Sequence, residues 1–109
     1  MKEKINRNIF SAPDFNNLPE VFETIVESKH FIIERIVTDG AISMPGDWYD
    51  QDQDEWVILL QGEAIIEFEN GNKESLYKGK YLIIKAHCRH RIIKTSADPN
   101  CIWLAVHKK

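Results

Sequence analysis

Two kinds of hydrophobic spacing run along this chain, and the change falls near residue 30. Upstream, Leu18, Val21, Phe22, Ile25 and Val26 recur at intervals of three and four, the period of one helix face. Asn16 or Asn17 is placed to cap such a helix, Pro19 falls in its first turn, and Glu20 and Glu23 sit near its positive end. The spacing therefore predicts one short amphipathic helix ending near Ser28, behind an irregular stretch over 1–17. Downstream the pattern shortens to runs rich in β-branched residues, beginning with Phe31 to Val37. Trp56 to Leu60, Glu63 to Glu69, Glu74 to Tyr77, Tyr81 to Ile84, His90 to Thr95 and Cys101 to His107 follow, separated by turn formers.

The alternation assigns faces. Glu55, Val57 and Leu59 share one side of their strand, Ala64, Ile66 and Phe68 one side of the next, and His90 and Ile92 one side of a later one. Asn70-Gly71 is the strongest hairpin turn, since both residues tolerate positive φ. SADPN, residues 96–100, reads as the turn of a last hairpin. Centred near Ala97-Asp98, that turn sets Cys88 across from about His107 and away from Cys101, so no disulfide is expected. About eight short strands predict an all-β antiparallel sandwich or small barrel.

Composition narrows the functional classes. The 109 residues make one domain, 1–109, divided into an N-terminal extension and helix over 1–30 and a β-barrel over 31–109. A chain of this length buries roughly 65% of its unfolded surface. The net charge of −3 is spread without a basic patch, which argues against nucleic acid and anionic membrane. The longest apolar runs are about five residues, far short of the ~20 that span a bilayer. The N-terminus lacks an apolar signal core, so a cytoplasmic location is expected.

The chemistry concentrates in WYDQDQDEWV, residues 48–57, where Asp50, Asp52, Asp54 and Glu55 run into an apolar strand. A calcium-binding EF-hand loop starting at Asp50 is excluded, because its sixth and twelfth positions hold Glu55 and Gln61 instead of Gly and Glu. A barrel that turns Glu55 and His90 inward brings an acid and an imidazole together in an apolar interior, where they coordinate something or pair with each other. Asp50 or Gln51, arriving from the preceding loop, and His87, before His90, are placed to complete the set. Arg89 and Arg91 alternate with His90 and face away. Trp48 and Tyr49 lie near the presumed mouth, and spacing offers His30 and His107 no partner.

The spacing of Glu55 to Gly62 and of Gly79 to His90 resembles the two motifs of the cupin family, G-x5-H-x-H-x3–4-E-x6-G and G-x5-P-x-G-x2-H-x3-N. The match runs from Gly46 to His107. The first-motif histidine positions hold Gln51 and Tyr49, or Asp50 and Trp48; in the second motif Lys85, His87 and Lys94 replace Pro, Gly and Asn. The resemblance implies a cupin-like double-stranded β-helix, commonly a homodimer, with a divalent metal ion (Mn, Fe, Ni or Zn) on His90, Glu55 and Gln51 or Asp50. It implies a small metal-dependent cupin that binds or transforms a small polar molecule inside the barrel. In an enzyme, Tyr49 or His87 would be the proton donor. The alternatives are a metal-free module that binds a small ligand through Glu55 and His90, and a non-catalytic structural or interaction protein with a filled barrel.

Overall fold

A computed structural model describes residues 8–109, so the first seven residues of the irregular stretch expected over 1–17 lie outside it. Eight strands are formed: β1 (Glu20–Glu27), β2 (Phe31–Thr38), β3 (Glu55–Gln61), β4 (Ala64–Phe68), β5 (Lys73–Leu76), β6 (Tyr81–Ile84), β7 (His90–Thr95) and β8 (Cys101–Lys108). All pairings are antiparallel, in a five-stranded sheet of order β1-β2-β8-β3-β6 and a three-stranded sheet of order β5-β4-β7.

The expected N-terminal helix is not there, and no helix occurs among the described residues; the segment is strand β1. Asn16 and Asn17 adopt positive φ of 49° and 64°, whereas a helix N-cap needs an extended residue. They turn the chain, and Leu18 N–H closes the turn on Phe15 O at 2.8 Å. The following residues meet the free edge of β2, with Val21 opposite Val37 and Glu23 opposite Arg35. Arg35, only 5% exposed, fastens this edge. Its guanidinium donates to Glu23 Oε1 at 2.6 Å and to the carbonyls of Ile9 and Ser11 at 2.9 and 2.6 Å. β-branched Val21, Ile25 and Val26 suit a ladder at least as well as a helix, and the ladder supplies the long-range partners.

The expected last hairpin is corrected as well. β7 pairs with β4 in the small sheet, while β8 lies between β2 and β3 in the large one. Residues 96–100 therefore carry the chain from one sheet to the other. The Asn70-Gly71 hairpin is formed, joining β4 to β5 with Gly71 at φ 93°. Both cysteines are free thiols.

The core lies between the sheets. Val57 and Leu59 of β3 and Trp103 and Ala105 of β8 pack against Ala64, Ile66 and Leu76 of the small sheet. The alternation read from β3 and β4 is realised: Glu55, Val57, Leu59, Ala64 and Ile66 are buried while their neighbours are not. Leu59, Leu76 and Cys101 fill one end completely, each large aliphatic side chain contributing about 2 kcal/mol of transfer free energy. At the other end of β3 the packing stops short and leaves a cavity.

Candidate functional site

The cavity has a volume of about 160 Å³ and is lined by side chains of both sheets and of the loop before β3. Ile36, Val57, Ile66, Ile84, Ile92 and Trp103 give it apolar walls, and Glu20, Glu34, Glu55, His90, His107, Tyr49 and Gln51 add polar groups.

The register of the large sheet sets the polar groups. His107 of β8 lies directly opposite Glu55 of β3 and opposite Ile32 of β2. Glu34, two residues along from Ile32, projects from the same face. His107 Nε2 accordingly sits 3.3 Å from Glu34 Oε1 and 3.5 Å from Glu55 Oε2. One imidazole thus stands between two carboxylates, the three groups coming from three adjacent strands. The other Glu55 oxygen, Oε1, accepts from Gln51 Nε2 at 3.0 Å. Burial raises the Glu55 carboxyl above the usual glutamate range, His107 pulls it back, and Glu34 adds to the rise.

Gln51 and Tyr49 are delivered by a segment that runs along the open edge of β7. Ser43 N–H bonds Ile92 O at 2.8 Å, Tyr49 N–H bonds His90 O at 2.7 Å, and His87 N–H bonds Gln51 O at 2.7 Å. Trp48, next along, stacks outside, with the Arg91 guanidinium 4.8 Å from its ring centre. Arg91 and Arg89 face away from the interior and pair with Glu67 and Glu69. Tyr49 turns into the cavity, where burial, reinforced by Glu20, pushes its phenol up and keeps it protonated.

His90 is 5% exposed, with its ring 5.5 Å from Tyr49 and 6.3 Å from Phe68, centre to centre. Its Nδ1 lies 2.9 Å from Cys88 O. A carbonyl only accepts, so Nδ1 carries the proton and neutral Nε2 presents a lone pair. Among the described residues Nε2 has no protein partner, and His90 and Glu55 do not bond each other. Burial holds His90 below the ordinary histidine range.

Of the residues singled out from sequence, Glu55, His90, Gln51 and Tyr49 meet in the cavity. Asp50 and His87 do not line it. They form an exposed pair, Nδ1 to Oδ1 at 2.9 Å. Asp54 accepts from Ala86 N–H at 2.9 Å, bracing the turn before β7. Much of the acidic density of WYDQDQDEWV thus holds loops together. Glu34 and His107 escaped sequence reasoning; the available signal was an ionisable residue on the inward side of an otherwise apolar strand.

A metal ion needs three or more donors converging on one point. No group of three His, Cys, Asp or Glu side chains suited to hold one occurs among the described residues. Both Glu55 oxygens are engaged, Oε1 by Gln51 and Oε2 by His107, whose Nε2 also faces Glu34. As arranged, the donors do not fit a divalent cation.

Comparison with known proteins agrees with the fold. A family model described as Cupin domain matches residues 36–107. A Ralstonia eutropha JMP134 protein named a putative mannose-6-phosphate isomerase is 38% identical, with TM-score 0.88 over 97% of this chain and 99% of that one. A cupin superfamily protein from Desulfitobacterium hafniense DCB-2 is 19% identical, with TM-score 0.74 over 97% and 93%. HppE in its iron(II) form is 14% identical, with TM-score 0.68 over 81% of this chain and 49% of that one. No curated protein matches.

Proposed function

This chain belongs to the cupin family, and we propose that it is a small-ligand-binding cupin that works through its own side chains. The observation that carries the reading is the cavity itself. One cluster of polar groups, Glu34, His107, Glu55 and Gln51, together with the unpartnered Nε2 of His90, lines a space otherwise walled by apolar residues. Apolar walls with a few oriented polar groups are the usual form of a small-molecule site. The Glu34–His107–Glu55 row is a pre-aligned hydrogen-bonding surface, and Tyr49, held protonated, supplies a donor.

The metal-dependent reading draws support from one feature. His90 is oriented as a metal-ligating histidine is, Nδ1–H fixed on a carbonyl and Nε2 free. With Glu55 it would be the core of that site, and Mn, Fe, Ni or Zn would supply Lewis-acid or redox chemistry. Elemental analysis of the tag-free protein, purified without chelator, beside His90→Ala separates the readings. The ligand-binding reading expects no stoichiometric metal in either protein; near-stoichiometric metal lost in His90→Ala would overturn it.

We further propose a cytoplasmic homodimer. No described helix is long and apolar enough to cross a membrane. Edge strand β6 leaves Tyr81 and Ile83 about three-fifths exposed, and such edges are commonly covered. Sedimentation at micromolar concentration tests the assembly; a monomer throughout would refute it.

A further inference from the structure

We infer that the ligand of this cavity carries a positively charged head group rich in N–H donors, an ammonium or amidinium, on a compact apolar body. The inference rests on the small-ligand reading above and names the class of ligand. Three carboxylates, Glu20, Glu34 and Glu55, line the cavity, and among the described residues no lysine or arginine does. The imidazoles of His90 and His107 are the basic groups of the described lining, and His107 is already placed between Glu34 and Glu55. His90, buried, presents an acceptor lone pair with no protein donor to meet it.

Glu55 and Glu34 have lone pairs beyond those that Gln51 and His107 occupy, and the His90 Nε2 lone pair opens on the cavity, so each has acceptor capacity left for a ligand that brings donors. An ammonium brings three N–H donors and the opposite charge, and aromatic rings such as Trp103 in the lining favour a cation further. Ile36, Val57 and Ile66 set the remaining wall and select an apolar body. A phosphorylated sugar presents the opposite chemistry: its phosphate would meet three carboxylates and, among the described lining residues, no lysine or arginine. The name carried by the Ralstonia relative therefore does not extend to this cavity as a substrate.

The test is ligand-observed NMR titration of the whole protein at pH 7.5 in chelator-containing buffer, which removes metal ions from the comparison. Four probes are used: cyclohexylamine, cyclohexanol, cyclohexanecarboxylate and mannose 6-phosphate. The expected result is cyclohexylamine binding at least about tenfold more tightly than cyclohexanol, a difference one charged hydrogen bond readily supplies, with both anions excluded. Glu34→Gln should weaken the amine about tenfold and leave cyclohexanol unchanged. If Glu34→Gln does not fold, Glu20→Gln on the edge strand gives the same reading. Cyclohexanol or either anion binding as well as the amine would overturn the ligand class while leaving the small-ligand function standing. Silence from all four probes would overturn both.

Discussion

His107 stands directly across the β3–β8 ladder from Glu55, its Nε2 3.5 Å from the carboxylate, and it lies 3.3 Å from Glu34 of the strand on its other side. The arrangement makes a prediction about pH. Glu55 is raised above its ordinary 4.5 chiefly by burial, so the folded protein holds this proton more tightly than the unfolded chain. Stability from this group is therefore greatest in acid and falls as pH rises through the raised value. Glu55→Gln should raise the Tm at pH 7.5, and the advantage should shrink towards pH 4. His107→Leu should do the reverse at neutral pH, costing about 2 kcal/mol by leaving buried Glu55 and half-buried Glu34 without the imidazole between them. Thermal melts across pH 4–8 check both.

His90 titrates with the opposite sense. Burial places it below 6.5, so the unfolded chain takes up the proton first. Its contribution is intact above pH 6.5 and is lost as pH falls towards its lowered folded value. His90→Gln should flatten the stability profile in that window while the protein remains folded. A profile identical to the parent would show that His90 is not held neutral.

Asp50 and His87 face solvent, 46% and 66% exposed at their side chains, and pair with each other. Exposed pairs contribute little. Asp50→Ala and His87→Gly should leave ligand affinity within about twofold of the parent, and His87→Gly also removes the strain of a histidine at φ 61°. Loss of binding in either variant would move the site outward to this loop.

The motif glycines differ in what they tolerate. A Cβ at Gly62 would lie 2.7 Å from Ser96 Oγ, 2.9 Å from Cys101 Sγ and 3.0 Å from Asn100 O, on a residue at φ +91°. Gly79, at φ +89°, has open space around it. Gly62→Ala should therefore cost about 3 kcal/mol, from overpacking added to backbone strain, and Gly79→Ala about 1 kcal/mol, from strain alone. Urea denaturation of the two variants measures the difference.

Gln51→His would put an imidazole where the cupin first motif carries a histidine, beside Glu55 and in the cavity that His90 lines. The variant should bind Zn or Ni measurably more tightly than the parent, by calorimetry. Unchanged affinity would show that this position does not direct its side chain towards His90.

What was legible in the sequence was local. The faces of β3 and β4 follow from strict alternation at Glu55, Val57, Leu59, Ala64 and Ile66, and the Asn70-Gly71 turn from the φ its residues permit. Leu18, Val21, Phe22, Ile25 and Val26 satisfy a helical period, yet the edge of β2, fastened by Arg35, takes the segment as a strand. Residues 96–100 read as a hairpin turn because turn chemistry says nothing about which sheet receives the next strand. Glu34 and His107 were invisible for a related reason: they are 73 positions apart and meet only through the register of three strands. Glu55, His90 and Gln51, which line the cavity, could be singled out because motif spacing marks single positions, which do not depend on pairing.

β8 lies between β2 and β3 although it follows every other strand in the chain. During synthesis β2 finds β1 and β3 finds β6, but nothing joins the two pairs, and the central slot of the large sheet stays open until residues 101–108 appear. Closing it joins segments far apart in sequence, which slows folding relative to a meander of the same size. Until then two strand edges stand exposed, the condition under which nascent β-chains pair with each other. Cells making this protein quickly should accumulate it insoluble unless elongation is slow or a chaperone shields those edges, and lowering the expression temperature should recover the soluble form.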